Sequence, residues 1–138
     1  MVEALILDSE ALNVLANTSA RGTSLQRARA IMAVALENRS LVRVPAPVLA
    51  ELYRGPRLDA ALDRVLNGRG IGVVDLTRDV ARQAGHLLAR AKLSSAHAID
   101  AFVVATALTY ASAVIATSDP ADIGLLAAPF PQIRVFAL

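Results

Sequence analysis

The sequence contains no cysteine and no tryptophan, and only 4% of its 138 residues are aromatic. Without cysteine, a disulfide framework, a thiolate-ligated zinc site and an iron–sulfur cluster are all excluded. This absence is compatible with a cytoplasmic location, which we expect for the protein. Because aromatic rings are so few, stacking on nucleic-acid bases would contribute little to any recognition.

Charge is missing from the 18 residues between Asp100 and Asp119, a run close to the length that spans a bilayer. Polar side chains interrupt this run at Thr106, Thr109, Tyr110, Ser112, Thr117 and Ser118. We therefore interpret it as a buried helix followed by a buried strand, and we expect no membrane association. The N-terminal segment carries acids at Glu3 and Asp8 and no basic cluster, so we also expect no secretory signal.

Apolar residues make up 55% of the sequence and charged residues 19%, which is the composition of a globular protein. The length suits one compact domain over residues 1–138. Short apolar runs alternate with amphipathic stretches, which predicts an α/β fold with a central, mostly parallel five-stranded sheet flanked by helices. The runs expected to form strands are Ala4–Leu7, Leu41–Val44, Gly72–Asp75, Ala113–Thr117 and Ile133–Phe136.

The amphipathic stretches predict the helices between those strands. Ser9 is a candidate cap for the first helix, and Thr77 is a good cap for a later one. Pro45 and Pro47 are expected to break the chain after the second strand. The predicted helices cover about 10–17, a segment from Thr23 or Ser24, 48–53, 58–66, a segment after Thr77, and about 98–110.

Four acids fall where one edge of this predicted sheet would lie. Asp8 directly follows the first strand, and Asp119 follows the fourth strand by two residues. Because ligands bind outside the carboxyl ends of parallel strands, both carboxylates are expected to face one crevice. Glu51 follows the second strand on the same side, and Asp100 lies in the first turn of a helix, where a carboxylate is favourable.

Each of these acids also has an ordinary structural explanation. Asp8 and Asp119 are favoured helix caps, and Asp119 is followed by a proline at the first helical position. Asp100 suits the N-terminal turn of any helix. Glu51 lies in an apolar segment, so its side chain is either solvent-facing or held by a partner. The four together are more informative than any one, because all map to one edge of one sheet.

Several carboxylates at close range need a positive countercharge, and a hard divalent cation such as Mg²⁺ or Mn²⁺ is the usual one. We find no plausible set of histidine or cysteine ligands for a softer metal. If six of the twelve acids gather in this pocket, the other six face fourteen bases and leave the rest of the molecule at about +8. An acidic pocket on a basic body suits a polyanionic ligand, although a GC-rich coding bias also enriches arginine.

Four segments, by their order and spacing, resemble the PIN domain family, and within it the VapC-type toxins of bacterial toxin–antitoxin pairs. The resemblance covers essentially the whole chain, and its matching segments are Leu5–Asp8 with Ala11 and Leu12, Leu49–Tyr53, Ala98–Ala107 and Ala116–Ile123. It implies a Mg²⁺- or Mn²⁺-dependent endoribonuclease that acts on RNA, is inhibited by a VapB-type antitoxin and forms a homodimer.

The resemblance also implies the roles of particular residues. The implied catalytic acids are Asp8, Glu51, Asp100 and Asp119, and the implied metal ligands are Asp8, Asp100, Asp119 and Asp122. Thr117 or Ser118 matches a hydroxyl position near the metal. We predict that Arg54, next to the Glu51 segment, and Ser118 contact the RNA or the antitoxin.

Two positions depart from the family's pattern. After Asp8 many members carry threonine or serine and another small polar residue, whereas this chain has Ser9 and Glu10. Glu10 is either an extra acid of the metal site or a solvated helix residue. His97 is either a contact near the metal or the RNA, or a surface histidine at a helix entry.

Two other functions remain open. A catalytically silent PIN-like module would bind RNA or protein without turnover. A phosphoacceptor signalling domain also has acids at strand ends, and Asp75 could be its acceptor. Such a domain needs a lysine after the fifth strand, and residues 133–138 contain none.

Overall fold

A computed structural model describes residues 2–17, 22–68 and 70–138. Five strands form one sheet, namely β1 (Ala4–Leu7), β2 (Leu41–Pro45), β3 (Ile71–Val74), β4 (Ala113–Thr117) and β5 (Ile133–Ala137). Their order across the sheet is β3-β2-β1-β4-β5, and every neighbouring pair is parallel. The predicted α/β class and five-stranded parallel sheet are confirmed.

Seven α-helices surround the sheet in the described segments, and a short 3₁₀ turn (Ser95–His97) precedes the sixth. The helices are α1 (Ser9–Ala16), α2 (Thr23–Glu37), α3 (Ala46–Leu52), α4 (Pro56–Leu66), α5 (Arg78–Ala91), α6 (Ala98–Ala107) and α7 (Pro120–Ala127). Among the residues that the structure describes, no helix is both long enough and apolar enough to cross a membrane.

The uncharged run after Asp100 forms the centre of the core. It folds into α6 and β4, and six of the ten residues of α6 are buried. All four residues of β1 are buried as well, because this strand lies between β2 and β4. Burial of each large aliphatic side chain stabilises the fold by roughly 1.5–3 kcal/mol, so this region holds the sheet edge beside it rigidly in place.

The starts of α1, α2 and α3 differ from the predicted ones. The cap of α1 is Asp8 rather than Ser9, because its carboxylate accepts a hydrogen bond from the Ala11 amide at 2.9 Å. Helix α2 begins at Thr23 after Gly22, whose φ of 91° is accessible to glycine without strain. Helix α3 begins at Ala46, because a proline in the first helical turn has no partner to lose.

Helix α6 ends at Ala107, three residues before the predicted end. The amide and the hydroxyl of Thr109 both donate to the carbonyl of Thr106, at 3.1 and 2.7 Å, and so satisfy one of the carbonyls at the helix end. At the start of α5, the Thr77 hydroxyl accepts a hydrogen bond from the Val80 amide, so Thr77 caps this helix as predicted.

The strand order creates a crevice beside β1. From β1 the chain builds outward through β2 and β3 on one side, and it later builds outward through β4 and β5 on the other. The direction of winding therefore reverses between β1 and β4. At such a switch point the loops after the two strands separate and leave room for a ligand outside their carboxyl ends. Asp8 and Asp119 belong to the loops that follow these two strands.

Candidate metal centre

Asp8 is a buried carboxylate at the centre of the crevice, with 6% of its surface exposed. Burial raises its pKa, and hydrogen bonds from the Thr117 hydroxyl and from the Ala11 and Ser118 amides partly oppose that rise. These donors fix the carboxylate and favour its charged form. The negative charge of Glu10 raises the pKa of Asp8, so Glu10 lies within electrostatic reach of this carboxylate.

Thr117 connects the acids that follow β1 and β4. Its side chain is fully buried, and its hydroxyl bonds to the Asp8 carboxylate. The same oxygen accepts a hydrogen bond from the Asp119 amide at 2.9 Å. Asp119 in turn caps α7, since its carboxylate accepts from the Asp122 amide at 3.3 Å. A single buried hydroxyl thus sets the relative position of Asp8 and Asp119.

Asp100 experiences the combined charge of the other acids. Burial is the largest cause that raises its pKa. The negative charges of four other acids raise the pKa further, to about 6, and these acids are Asp119, Asp122, Asp8 and Glu51. Asp100 lies in the first turn of α6, and Asp122 lies in the first turn of α7. All five acids therefore share one electrostatic environment, although they come from four separate parts of the chain.

Glu51 occupies the rim of this cluster. It lies near the end of α3 and is exposed, and its charge has the smallest of the named effects on Asp100. The sequence left open whether this acid is solvent-facing or held by a partner. The structure places it in solvent, on the side of the sheet that faces the other four acids.

The cluster has little positive charge of its own. Within residues 2–17, 22–68 and 70–138, no lysine or arginine forms an ion pair with any of the five acids. The nitrogen that does approach belongs to a histidine, since His97 Nδ1 lies 3.4 Å from Asp122 Oδ2. Asp8 and Asp100 have raised pKa values, and no lysine or arginine of the described segments pairs with the cluster. Such a set of carboxylates fits a divalent cation, which would compensate their charge.

The sequence offered no set of histidine or cysteine ligands, and the structure places one histidine beside two of the acids. Ligand atoms of His97, Asp100 and Asp122 all lie within 4.8 Å of one another. His97 stands three residues before Asp100, a spacing that brings side chains to one face of a helical turn. This spacing was visible in the sequence, but its meaning depends on Asp122, which arrives from another helix.

The two predicted RNA or antitoxin contacts both lie on the surface. Ser118 is exposed, and its amide donates to Asp8, so it borders the acid cluster. The Arg54 Nη1 atom donates to the carbonyls of Ala50 and Tyr53, each at 2.7 Å, at the end of α3. A guanidinium has five N–H groups, so Nε and Nη2 are not engaged by these two bonds.

A groove elsewhere on the surface is not lined by these acids. That groove, of about 440 Å³, lies between α1, α3 and α4, and is lined by Asn13, Ala16, Asn17, Leu52, Arg57, Leu58, Ala61 and Leu62. The acid cluster instead occupies an open edge of the sheet. A long polymer could approach such an edge more easily than it could enter a closed cavity.

The family model described as the PIN domain matches residues 5–123 of this chain. No curated protein matches the chain. Several solved structures share its fold, at sequence identities so low that the likeness concerns the fold alone.

One of these structures is VapBC2 from Rickettsia felis bound to a DNA fragment from the promoter, with a TM-score of 0.67, 14% identity and 98% of both chains covered. A toxin–antitoxin complex from Klebsiella pneumoniae has a TM-score of 0.64 and 19% identity, covering 97% of this chain and 99% of that one. The sarcin–ricin-loop-cleaving toxin VapC20 from Mycobacterium tuberculosis has a TM-score of 0.60 and 20% identity, covering 94% and 98%.

Proposed function

The chain belongs to the PIN domain family, and on that basis we propose that it is a Mg²⁺- or Mn²⁺-dependent endoribonuclease, the toxin of a VapBC-type pair. The observation that carries the proposal is the acid cluster around Asp100. Four other carboxylates and burial raise the pKa of Asp100 to about 6, with no lysine or arginine paired to the cluster in the described segments. Such a site favours a divalent cation, and a cation among acids suits phosphodiester hydrolysis.

The residues have different parts in this mechanism. A bound Mg²⁺ or Mn²⁺ would activate water and neutralise charge on the scissile phosphate. Asp8 and Asp119 are fixed by Thr117 and by neighbouring amides, so they hold their carboxylates in place before any ligand arrives. Asp100 has the least compensated charge and therefore the most to gain from a cation. Glu51, exposed at the rim, is free to accept a proton from a water that approaches the phosphate.

Cleavage assays on the purified chain test the proposal. The substrates are a sarcin–ricin-loop hairpin, chosen because VapC20 is described as cleaving that loop, and total RNA. With Mg²⁺ or Mn²⁺ we expect cleavage, which EDTA stops and which Asp8→Asn or Asp100→Asn abolishes. Asp75→Asn is the matched control, since Asp75 is an exposed acid in the loop after β3.

The outcomes separate the proposed function from its alternatives. Normal cleavage by folded protein with both Asp8 and Asp100 neutralised would show that the proposed site is wrong. Tight cation binding without cleavage of any RNA would instead favour a silent PIN-like binding module. A phosphoacceptor domain is disfavoured by the strand order, because β3 is an edge strand and Asp75 is separated from Asp8 by β2.

The proposal includes an antitoxin partner and a cytoplasmic site of action. Two of the structures with this fold are described as VapBC2 and as a toxin–antitoxin complex, which supports a VapB-type partner. If the adjacent upstream reading frame encodes a small protein, we expect it to co-purify with this chain and to suppress RNA cleavage. A stable complex without loss of cleavage would contradict inhibition while leaving the nuclease intact.

A homodimer is also part of the proposal. Exposed apolar side chains occur near the β3 edge of the sheet, where Leu36 lies beside Gly70 and where Val73 is 44% exposed. Apolar groups of this kind, together on one edge, are typical of an association surface. Sedimentation at several concentrations tests this: we expect a dimer that Val73→Glu converts to a monomer.

A further inference from the structure

The acid cluster has one member that offers nitrogen instead of oxygen. His97 ends the 3₁₀ turn and occupies the cap position of α6, three residues before Asp100. Asp122 comes from the first turn of α7 and faces the same space. Two helix starts therefore bring an imidazole and two carboxylates together at the edge of the crevice.

The distances are close to those between three ligands of one ion. His97 Nδ1 lies 3.4 Å from Asp122 Oδ2, and ligand atoms of all three residues lie within 4.8 Å of one another. Two ligands held by one cation at about 2.1 Å are at most roughly 4.2 Å apart. The side chains of His97 and Asp122 are 32% and 36% exposed, so each has room for the small inward movement that this requires.

We propose that His97, Asp100 and Asp122 form a mixed nitrogen–oxygen subsite in which His97 binds the cation directly and makes the centre prefer Mn²⁺ over Mg²⁺. The inference rests on the proposed function for the presence of a divalent cation, and it names the cation that the site selects. Mg²⁺ binds oxygen ligands and loses water reluctantly, whereas imidazole is a good ligand for first-row transition ions. An all-carboxylate centre would lack this source of discrimination.

A different role for His97 makes a different prediction. If its imidazole only donated a hydrogen bond to Asp122, it would orient that carboxylate without touching the cation. Loss of His97 would then weaken Mg²⁺ and Mn²⁺ binding to a similar extent, because both ions use the same oxygen ligand. If His97 is instead a direct ligand, its loss weakens Mn²⁺ binding much more than Mg²⁺ binding, and Mn²⁺ bound to the native chain carries a nitrogen signature.

Mn²⁺ is a suitable probe because its electron spin reports ligand nitrogen directly. The chain has two histidines, His86 and His97, so His86→Gln is the matched control for His97→Gln. His86 is exposed on α5, outside the acid cluster. The measurements are ¹⁴N couplings to bound Mn²⁺ by pulsed electron paramagnetic resonance, and Mn²⁺ and Mg²⁺ affinities by titration calorimetry. Circular dichroism checks that each variant is folded.

We expect ¹⁴N coupling in the native chain and in His86→Gln, and its loss in His97→Gln. The Mn²⁺ dissociation constant of His97→Gln should rise about tenfold or more, with less than about a threefold change for Mg²⁺. Bound Mn²⁺ without ¹⁴N coupling, or equal weakening of both ions, would overturn the inference and leave the nuclease proposal standing. Failure of the native chain to bind either ion would overturn both.

Discussion

Neutralising Asp100 should make the metal-free protein more stable. Its carboxylate is half-buried beside four other acids, and its pKa is raised to about 6 by burial and by their charges. Above that pH the folded state holds a negative charge that is more favourable in the unfolded chain. Asp100→Asn keeps the shape of the side chain and removes the charge, so it relieves this unfavourable energy while removing a proposed ligand.

The size of the effect follows from the pKa. A carboxyl pKa raised from 3.8 to about 6 corresponds to roughly 3 kcal/mol of destabilisation at neutral pH. Because the side chain is partly exposed, solvent and salt at physiological strength screen part of this unfavourable energy. We therefore expect Asp100→Asn to raise the free energy of unfolding by about 1–3 kcal/mol. For a chain of this length, an unfolding entropy of about 0.3 kcal/mol/K converts that range to a Tm increase of roughly 3–10 °C.

The assay is thermal unfolding of native protein, Asp100→Asn and the control Asp75→Asn, with EDTA, from pH 4 to 8. An acid whose pKa is raised in the folded state destabilises that state at pH values above the raised pKa. The advantage of Asp100→Asn should therefore be complete above about pH 6.5 and should vanish as the pH falls towards 4. Saturating Mn²⁺ should stabilise the native chain more than the variant. A variant that melts no higher than the native chain at pH 7.5, or an advantage that persists at pH 4, would refute this reasoning.

Three other outcomes are expected. Thr117→Val leaves the part-buried Asp119 amide without its acceptor and should lower the free energy of unfolding by about 1–3 kcal/mol in urea titrations, whereas Thr117→Ser should not. Mn²⁺ affinity by calorimetry should fall up to about tenfold per pH unit below pH 6, where protons compete for Asp100, and should be nearly constant above pH 7. Arg54→Ala in an inactive background should reduce the salt dependence of RNA binding by about 0.7 in logarithmic slope, with Arg78→Ala as the control.

The positions of Asp8 and Asp119 at one sheet edge could be predicted because strand ends are visible as the ends of apolar runs. In a parallel sheet, all carboxyl ends lie on one side, so no knowledge of strand order was needed. The order itself could not be predicted, since hydrophobic periodicity does not say which strands are neighbours. The order determines that β1 and β4 are adjacent and that Asp75 stands at a distance.

The details of the cluster depend on contacts between segments far apart in the sequence. The sequence pointed to a hydroxyl at Thr117 or Ser118, and it could not show that Thr117 is fully buried between two acids. His97 was equally ambiguous, because a histidine at a helix start is common on protein surfaces. Asp122, whose Oδ2 lies 3.4 Å from His97 Nδ1, is 25 positions away and is brought close by the packing of α6 against α7. Local patterns carry no information about such pairings.

The cap and ligand interpretations of these acids are compatible, and together they bear on the number of ions. Asp8 and Asp119 cap α1 and α7, and Asp100 lies in the first turn of α6, so three helix N-termini face the cluster. Each helix N-terminus contributes about half a positive charge, so the three together offset roughly 1.5 of the five negative charges of the carboxylates. One divalent ion leaves the net charge of the centre at roughly −1.5, and two ions leave it near +0.5. The single negative charge of a phosphodiester would then bring the centre with two ions close to neutral.

We therefore expect one tightly bound Mn²⁺ in the free protein and a second that enters with a non-cleavable 2′-deoxy oligonucleotide. Calorimetric stoichiometry checks this, and two tight ions without the oligonucleotide would contradict the charge balance.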